Sequence, residues 1–405
     1  MLRQAHELPL DQYDVSNWHL MQHDAIWPYF ERLRREEPVH YCADSRYGPY
    51  WSITKFADIK AVDSNHKAFS SASGIGIIDG SMDFSAPPES FIAMDEPKHG
   101  VQRKAVSPVV APRNLAQMES LIRERAARIL DGLPVGETFN WVERVSIELT
   151  TQMLATLFDF PFEDRRKLTL WSDMATLPGP TAEERRSELL ECLGTFTELW
   201  HQRVDQEPNF DLISLLIHGE DTKNMVNNPM EYLGNLLLLI VGGNDTTRNS
   251  ISGGVLALNQ FPAEYDKLRA NPALIPNMVS EIIRWQTPLA FMRRTALEDT
   301  EVGGKLIKTG EKVIMWYVSG NRDAEKFERA DELIIDRKDA RNHVSFGFGI
   351  HRCMGNRLAE MQLRVLWEEI MQRFEHVEVV GEPKRVRSNF VRGYAELPVR
   401  LHPLS

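Results

Sequence analysis

Cys353 lies in a stretch whose residue types could do chemistry. The stretch reads SFGFGIHRCMGNRLAE, residues 345–360, with Gly347 and Gly349 before the thiol and an apparent helix after it. Glycine adopts backbone conformations that other residues avoid, and it lets a flat ligand approach the chain closely. The N–H groups and the dipole at the start of the following helix favour thiolate over thiol. The stretch therefore predicts a stabilised thiolate.

A thiolate of this kind, screened from water by Phe346 and Phe348, suits an axial ligand of haem iron. Two other interpretations compete with it. A lone cysteine is usually a small buried apolar residue, and GFGIHR resembles a nucleotide-binding loop. The nucleotide loop is rejected because its sixth residue is Arg352 rather than glycine and no clear βαβ pattern precedes it. The complete pattern, F-G-x-G-x-H-x-C-x-G, is far more specific than any single residue.

Three further groups of residues could act beside such a thiolate. Glu281 and Arg284, in EIIR, share one helix face, as many solvated surface pairs do. His99 and Arg103, in HGVQR, also share a face and could bind carboxylates, or form a surface basic pair. VGGNDTT, residues 241–247, places two glycines, an acid and an alcohol inside an apparent helix. Such glycines cost about 1 kcal/mol each relative to alanine, so they indicate a tight helix crossing or a widened groove.

The elements that must position these residues follow from hydrophobic periodicity and from the glycines and prolines. A 30-residue segment without proline, between Pro229 and Pro262, predicts one long and largely buried helix. Other helices are predicted over 26–36, over most of 97–220, over 274–286 and from about Gly355. Strands are predicted over 39–54, over 293–318 and in the tail from 376. The chain is therefore expected to be mainly α (α+β), with one domain over residues 1–405.

Composition excludes several classes of protein. The net charge of −11 and the pI of about 5.6 disfavour a nucleic-acid binder. Cys42, Cys192 and Cys353 are far apart and form no CxxC pair, which disfavours a zinc site or a disulfide framework. The N-terminus has no apolar core, and the apolar run at 236–241 is too short to span a bilayer. A soluble, cytoplasmic protein without a membrane anchor is predicted.

The pattern from Phe346 to Gly355 resembles the haem-binding loop of the cytochrome P450 family, the haem-thiolate monooxygenases. The resemblance extends from about residue 25 to the end, because the other motifs occur in the family's order. It implies the P450 fold, with a long central helix over the haem and a minor β-sheet. It also implies haem b as cofactor and O2 as co-substrate, with Cys353 as the axial ligand of the iron.

The same resemblance implies roles for the other residues. Asp245 and Thr246 match the acid–alcohol pair that relays protons during dioxygen activation. Glu281, Arg284 and Arg337 match a buried structural triad. Arg293 adjoins Arg294, which leaves open which of the two points inward. The implied contacts to the haem, besides Cys353, are His99, Arg103, Arg294, His351 and Phe346.

The positions expected to line the substrate pocket are apolar or small, which favours an apolar small-molecule substrate. The central helix and the cysteine loop most resemble the soluble bacterial alkane and fatty-acid terminal (omega) hydroxylases, which share the unusual Asn244 and Arg248 and also Met354. The implied reaction is hydroxylation of a terminal methyl group on a medium-length chain. These expected pocket positions are Leu238, Val241, Gly242, Leu289, Ala290 and Met292.

The length leaves no room for a flavin or iron–sulfur domain, so electrons from NAD(P)H must arrive through separate proteins. The resemblance implies a small [2Fe-2S] ferredoxin and its reductase, with Arg352 and Arg357 meeting an acidic partner. Three alternatives stay open. They are the same chemistry on a bulky terpene or sterol, a peroxide-driven enzyme and a non-catalytic haem-binding sensor. Asp245 and Thr246 argue against the last two, which need no proton relay.

Overall fold

The structure is a computed structural model that describes residues 4–78 and 89–404. The α-helices in these ranges are α1 Gln4–Glu7, α2 Trp18–Gln22, α3 Trp27–Glu36, α4 Phe56–Ser64, α5 Lys98–Val106, α6 Pro112–Asp131, α7 Glu148–Phe158, α8 Arg166–Thr176, α9 Ala182–Arg203, α10 Leu212–His218, α11 Pro229–Gln260, α12 Pro262–Ala270, α13 Ile275–Gln286, α14 Tyr317–Gly320 and α15 Asn356–Arg373. The strands are β1 Val39–Cys42, β2 Tyr50–Ile53, β3 Phe69–Ser70, β4 Thr138–Asn140, β5 Met292–Ala296, β6 Thr300–Val302, β7 Lys305–Ile307, β8 Lys312–Met315, β9 Phe374–Val379, β10 Lys384–Arg385, β11 Tyr394–Glu396 and β12 Pro398–Pro403.

The long helix predicted between two prolines is α11, which has 32 residues. Pro229 occupies its first turn, where a missing N–H costs nothing, and Pro262 begins the next helix. At 1.5 Å per residue α11 is about 48 Å long, long enough to run through the whole molecule. It packs against α7, α8, α13 and α15, and together they enclose the main hydrophobic core.

The strands form small sheets beside this helical body. The largest has the order β1-β2-β8-β5-β3, and its β2 and β8 are parallel although about 260 residues separate them. A second sheet has the order β4-β12-β9. Strand β4 lies in the region predicted to be mostly helical. It forms because its residues pair with β12 near the end of the chain, and local periodicity cannot show such a partner.

The predicted fold class is confirmed, since helices dominate and the sheets are minor. The single domain over 1–405 stays a prediction. In the two described ranges, no helix combines the length and apolar character needed to cross a membrane. The same ranges contain no cluster of three histidine, cysteine or acidic side chains able to hold a metal ion.

Candidate active site

A cavity of about 990 Å³ lies beside the middle of α11 and the cysteine loop, and its walls are mostly apolar. Thr246 on α11 and Cys353 both line it. Of the predicted haem contacts, all five side chains named with Cys353 also line it: His99, Arg103, Arg294, Phe346 and His351. The fold therefore brings together residues that are up to about 250 positions apart in the chain.

The cysteine loop owes its shape to its glycines. Gly347 and Gly349 both have φ of +66°, a region that side chains disfavour. A Cβ on Gly349 would lie 2.6 Å from the carbonyl oxygen of Asp63, so α4 packs directly on the loop. The loop closes on itself where the N–H of Cys353 donates to the carbonyl of Phe346 at 2.8 Å. Only a glycine at each position permits this close packing.

The sulfur of Cys353 has surroundings that suit a metal-bound thiolate. Its exposed surface faces the cavity, inside the molecule, so burial raises the pKa of the thiol. The N–H groups of Gly355 and Asn356, at the start of α15, act in the opposite direction, as do the charges of Arg103 and Arg352. The net pKa remains raised, and a bound metal cation would favour the thiolate.

The rings of Phe346 and Phe348 take different positions. Phe346 lines the cavity and packs against the main core. Phe348 packs edge-on against Phe56, with 6.0 Å between ring centroids, and lies outside the cavity wall. The expectation that both rings screen the sulfur is therefore wrong for Phe348, because the left-handed glycines on either side of it turn its side chain toward α4.

Four of the basic side chains that line the cavity are the predicted haem contacts His99, Arg103, Arg294 and His351. The ring nitrogens of His99 reach the carbonyl oxygens of Phe91, at 2.6 Å, and Ile350, at 3.0 Å. The His351 ring lies 4.1 Å from the His99 ring, and its buried Nδ1 has no hydrogen-bond partner among the described residues. Burial, followed by the charges of Arg294, His99 and Arg103, lowers the pKa of His351 to about 2.

This electrostatic environment fits a ligand that carries carboxylates. A carboxylate would neutralise the excess of positive charge and give the unpartnered His351 nitrogen an acceptor, if that nitrogen carries the proton. A thiolate and several basic side chains around one cavity match the two features of haem that a protein binds, a central iron and two propionates on one edge of the ring. The residues present therefore fit haem. Cys353 would ligate the iron and His99, Arg103, Arg294 and His351 would bind the propionates.

Asp63, which the sequence did not single out, holds this arrangement together. It is buried at the end of α4, and its carboxylate accepts three hydrogen bonds of 2.7 Å. The donors are the Arg294 guanidinium, the Tyr317 hydroxyl and the backbone N–H of Phe348. Arg294 lines the cavity and Arg293 does not, which answers the question of which arginine points inward.

Replacing Asp63 with asparagine should loosen haem binding. The single oxygen of an amide cannot accept all three bonds, and Arg294 would lose its ion pair. A hydrogen bond to a charged group contributes about 1.5–3 kcal/mol, so transfer of haem to a competing acceptor should be at least about tenfold faster. Asp58→Asn, on the same helix but outside the cavity wall, is the matched control. Equal transfer rates in both variants would contradict the role of Asp63.

The two glycines of VGGNDTT serve different purposes. A Cβ on Gly243 would lie 2.8 Å from Leu154 Cδ1 on α7, so this glycine permits a close helix crossing. A Cβ on Gly242 would meet nothing within 4 Å, because this residue faces the cavity. Thr246, one turn later, donates to the carbonyl of Gly242 at 3.0 Å. Both interpretations of the pair, a crossing and a groove, are therefore correct for one glycine each.

Asp245 does not reach the cavity. Its fully buried carboxylate accepts from Ser172 at 3.0 Å and Thr176 at 2.9 Å, both on α8. It also forms an ion pair of 2.9 Å with Arg248. The unusual polar residues beside the acid–alcohol pair thus hold the acid, since Asn244 also donates to Asp245 at 3.2 Å. The structure places only Thr246 of the pair at the cavity.

The structure brings Glu281, Arg284 and Arg337 together in the core. Glu281 and Arg284 are fully buried and form a two-pronged ion pair of 2.7 and 2.8 Å. Arg337 Nε donates to both oxygens of Glu281 at 3.0 and 3.1 Å. The remaining guanidinium N–H groups of both arginines donate to backbone carbonyls of residues 321–332. The arrangement supports a structural role, because it clamps α13 to the chain before the cysteine loop.

Five of the six expected pocket residues line the cavity: Leu238, Val241, Gly242, Leu289 and Met292. The prediction for Ala290 is wrong. Its backbone hydrogen bonds to Phe390 and Val318 turn its side chain into a separate core with Phe291. Several residues that line the cavity were not predicted from the sequence. They are Leu154, Leu157, the residues 177–178 that follow α8, and two exposed basic residues, Arg46 and Arg387. No local pattern marked these residues, because they reach the cavity from loops and distant helices.

Comparisons with known proteins find similar chains. A family model described as Cytochrome P450 matches residues 135–394. Linalool 8-monooxygenase of Pseudomonas putida is 36% identical, over 97% of this chain and 100% of its own. Methyl-branched lipid omega-hydroxylase of Mycobacterium bovis is 30% identical, over 91% and 90%. A solved structure of cytochrome P450-153 from Novosphingobium aromaticivorans is 48% identical, with a TM-score of 0.91 over 96% and 99%.

Proposed function

This chain belongs to the cytochrome P450 family of monooxygenases, and we propose that it hydroxylates the terminal methyl group of medium-chain alkanes or fatty acids. The observation that carries this proposal is that one cavity is lined by Cys353, Thr246 and mostly apolar side chains. When bound, haem supplies the dioxygen chemistry that inserts an oxygen atom into a C–H bond. The protein binds and orients the substrate, excludes water from the site and delivers protons.

Each residue then has a proposed task. Cys353 ligates the iron, and the apolar wall around Val241 and Leu289 excludes water and holds a hydrocarbon chain. The Thr246 hydroxyl, which lines the cavity, passes protons toward the reacting oxygen. Asp245 is the proposed acid partner of Thr246 in this relay. In the present arrangement its carboxylate is bound to α8 and Arg248, so Thr246 is the member of the pair that meets the cavity.

Two basic residues at the cavity support a fatty acid in particular. Arg46 and Arg387 are exposed, and their guanidinium groups lie over the rings of Tyr47, at 5.2 Å, and Trp18, at 4.0 Å. Neither forms an ion pair with any acidic residue in 4–78 or 89–404. The lipid hydroxylase named above acts at a chain end, whereas the linalool enzyme acts on a terpene alcohol. Apolar walls together with exposed arginines at the cavity favour a fatty acid, which has a hydrocarbon chain and an anionic end.

The experiment is a titration of the haem absorbance of the purified protein with a medium-chain alkane, the matching fatty acid, a monoterpene and a sterol. A low-spin to high-spin change with the linear compounds alone, followed by a terminal alcohol as product, supports the proposal. A change only with the bulky compounds would leave a monooxygenase but overturn the linear substrate. No product from any hydrocarbon would favour a haem-binding sensor.

The double variant Arg46→Met, Arg387→Met separates fatty acid from alkane. Two exposed ion pairs contribute about 1 kcal/mol together, so fatty-acid binding should weaken about fivefold. Alkane binding should not change, because methionine keeps much of the arginine's apolar stem. Arg400→Met, which lies outside the cavity wall, is the control. Equal loss for both ligands would argue against a carboxylate at this end.

Thr246→Ala should separate electron use from product formation. The variant keeps its haem contacts but loses the hydroxyl, and positioned proton transfer contributes about a hundredfold or more. We expect NAD(P)H consumption to continue while hydroxylated product falls at least about tenfold and hydrogen peroxide rises. Thr197→Ala removes an equivalent hydroxyl-to-carbonyl bond on α9, of 2.7 Å, and should change none of these rates. Undiminished coupling in Thr246→Ala would refute the relay.

We also propose that a [2Fe-2S] ferredoxin with its reductase supplies the electrons. Arg352 and Arg357 are exposed beside Cys353 and could attract an acidic partner. Reversing both charges to glutamate should slow the first electron transfer most strongly at low ionic strength. The same rate in the variant and the parent protein would place the partner elsewhere.

A further inference from the structure

Arg322, Arg385 and Arg392, the arginine cluster, lie outside the active-site cavity. The guanidinium carbons of Arg322 and Arg392 lie 4.4 and 4.7 Å from the ring centroid of Trp27. The same two carbons lie 5.1 and 5.7 Å from the ring of Trp285. Like charges are thus packed around two aromatic rings.

The charge in this cluster is unbalanced. One carboxylate, Asp24, serves both Arg385, at 3.0 Å, and Arg392, at 3.3 Å. Among the described residues, Arg322 forms its ion pair with Asp331, at 3.5 Å, and that side chain is 73% exposed. The side chains of all three arginines are at least 93% buried.

Carbonyls of the chain accept some of the N–H groups. Trp285 and Gln286, the last residues of α13, accept from Arg392, and Trp285 also accepts from Arg322. The negative end of a helix favours cations in this way. In this cluster, four buried donors have no acceptor among the described residues: Nε of Arg322, Nε of Arg392, Nη1 of Arg385 and Nε1 of Trp285.

We propose that the arginine cluster binds a small anion of halide size between its guanidinium groups. Buried donors are normally satisfied, and buried charges are normally paired, so several orphan donors in one cluster indicate a missing ligand. Water could accept the N–H groups but could not neutralise the charge. Two tryptophan rings pack against these buried groups, which favours a single-atom anion over a phosphate.

Loss of a proton does not relieve the charge. Burial, followed by the charges of Arg392 and Arg284, lowers the pKa of Arg322 to about 9. That value still lies above neutrality, so Arg322 keeps its charge at neutral pH.

The site would support one wall of the cavity. Arg385 and Arg392 flank a segment whose Ser388, Asn389 and Phe390 line the cavity. The N–H of Arg392 donates to Pro288 at 2.8 Å, next to the cavity residue Leu289. An anion would therefore tie both segments to α3 through the cluster.

The direct test is a crystal structure of the haem-loaded protein grown in sodium bromide. We expect an anomalous peak in contact with the three guanidinium groups. The crystals are grown at a bromide concentration that saturates the anion-dependent rise in melting temperature. Ordered water at the site, with no anomalous peak, would overturn the proposal.

The second test measures the melting temperature against chloride at constant ionic strength, with gluconate as the replacing anion. The parent protein should be stabilised in a saturable manner, because a ligand that binds only the folded state raises the melting temperature. In Arg385→Met the apparent chloride affinity should fall about tenfold or more. Asp24→Asn removes the carboxylate that competes with chloride for the arginines, so the apparent chloride affinity should rise in this variant.

Arg128→Met is the control, because Arg128 lies in an exposed pair with Glu124. Its chloride dependence should equal that of the parent protein. If every variant folds and all four proteins show the same chloride dependence, the proposal is overturned. If a variant does not fold, the bromide structure still tests the proposal, because it uses only the parent protein.

Discussion

Replacing Cys353 with histidine should abolish the thiolate-type absorbance of the reduced carbon monoxide complex and all hydroxylation. Histidine is a neutral ligand and lacks the electron donation of a thiolate. The N–H groups of Gly355 and Asn356 and the charges of Arg103 and Arg352, which favour a negative sulfur, would then face a neutral ring. Haem content should partly survive, since the basic side chains at the propionate wall are unchanged. The measurement is the difference spectrum of the reduced protein with and without carbon monoxide.

Cys192→Ala provides the matched control for this variant. Cys192 is fully buried in the main core, where burial raises its thiol pKa well above the usual value, and it lies outside the cavity wall. Its removal should leave the spectrum intact. A spectrum that survives in Cys353→His would show that another residue ligates the iron.

Replacing Glu281 with glutamine should produce the largest loss of stability. The carboxylate pairs with two buried arginines and accepts the N–H of Ile334 at 2.9 Å, so its neutralisation leaves two buried charges unpaired. Breaking a buried pair from one side typically costs about 3–5 kcal/mol. Urea unfolding followed by tryptophan fluorescence measures the change, together with the haem content at each urea concentration.

Glu332→Gln controls for a change of charge in the same region. Its side chain is exposed and pairs with Arg329, whereas the contacts to Arg284 and Arg337 use only its backbone carbonyl. We expect its unfolding midpoint to match that of the parent protein. A Glu281→Gln variant as stable as this control would mean that the triad does not stabilise the fold.

The parts predicted correctly from the sequence were those that short-range chemistry determines. The ends of α11 follow from prolines, and α15 begins where Gly355 and the cysteine loop indicate. The conformations of Gly347 and Gly349 follow from their residue type. The family motifs identified site residues that are far apart in the chain. The order of Glu281, Arg284 and Arg337 along the chain, for example, carries information that periodicity lacks.

The features that the sequence did not show depend on where a side chain points after distant elements pack. Asp245 faces α8 because hydroxyls and an arginine are available there, which its position on α11 does not reveal. Ala290 turns away because its backbone pairs with residue 390. Asp63 was missed because its three donors come from residues 294, 317 and 348. The residues around Asp63 in α4 give no local sign of these donors.

The parallel pairing of β2 with β8 sets the order of events during synthesis. Trp51 and its partner Glu311 are 260 residues apart, which a ribosome covers in roughly 10 to 50 seconds at its usual rate. For that time the β1–β2 hairpin leaves the emerging chain with an open edge on β2, which a chaperone can cover. Cys353 is made later still. The cysteine that would ligate haem therefore exists only in a nearly finished chain, so the haem site cannot be completed before the last part of translation.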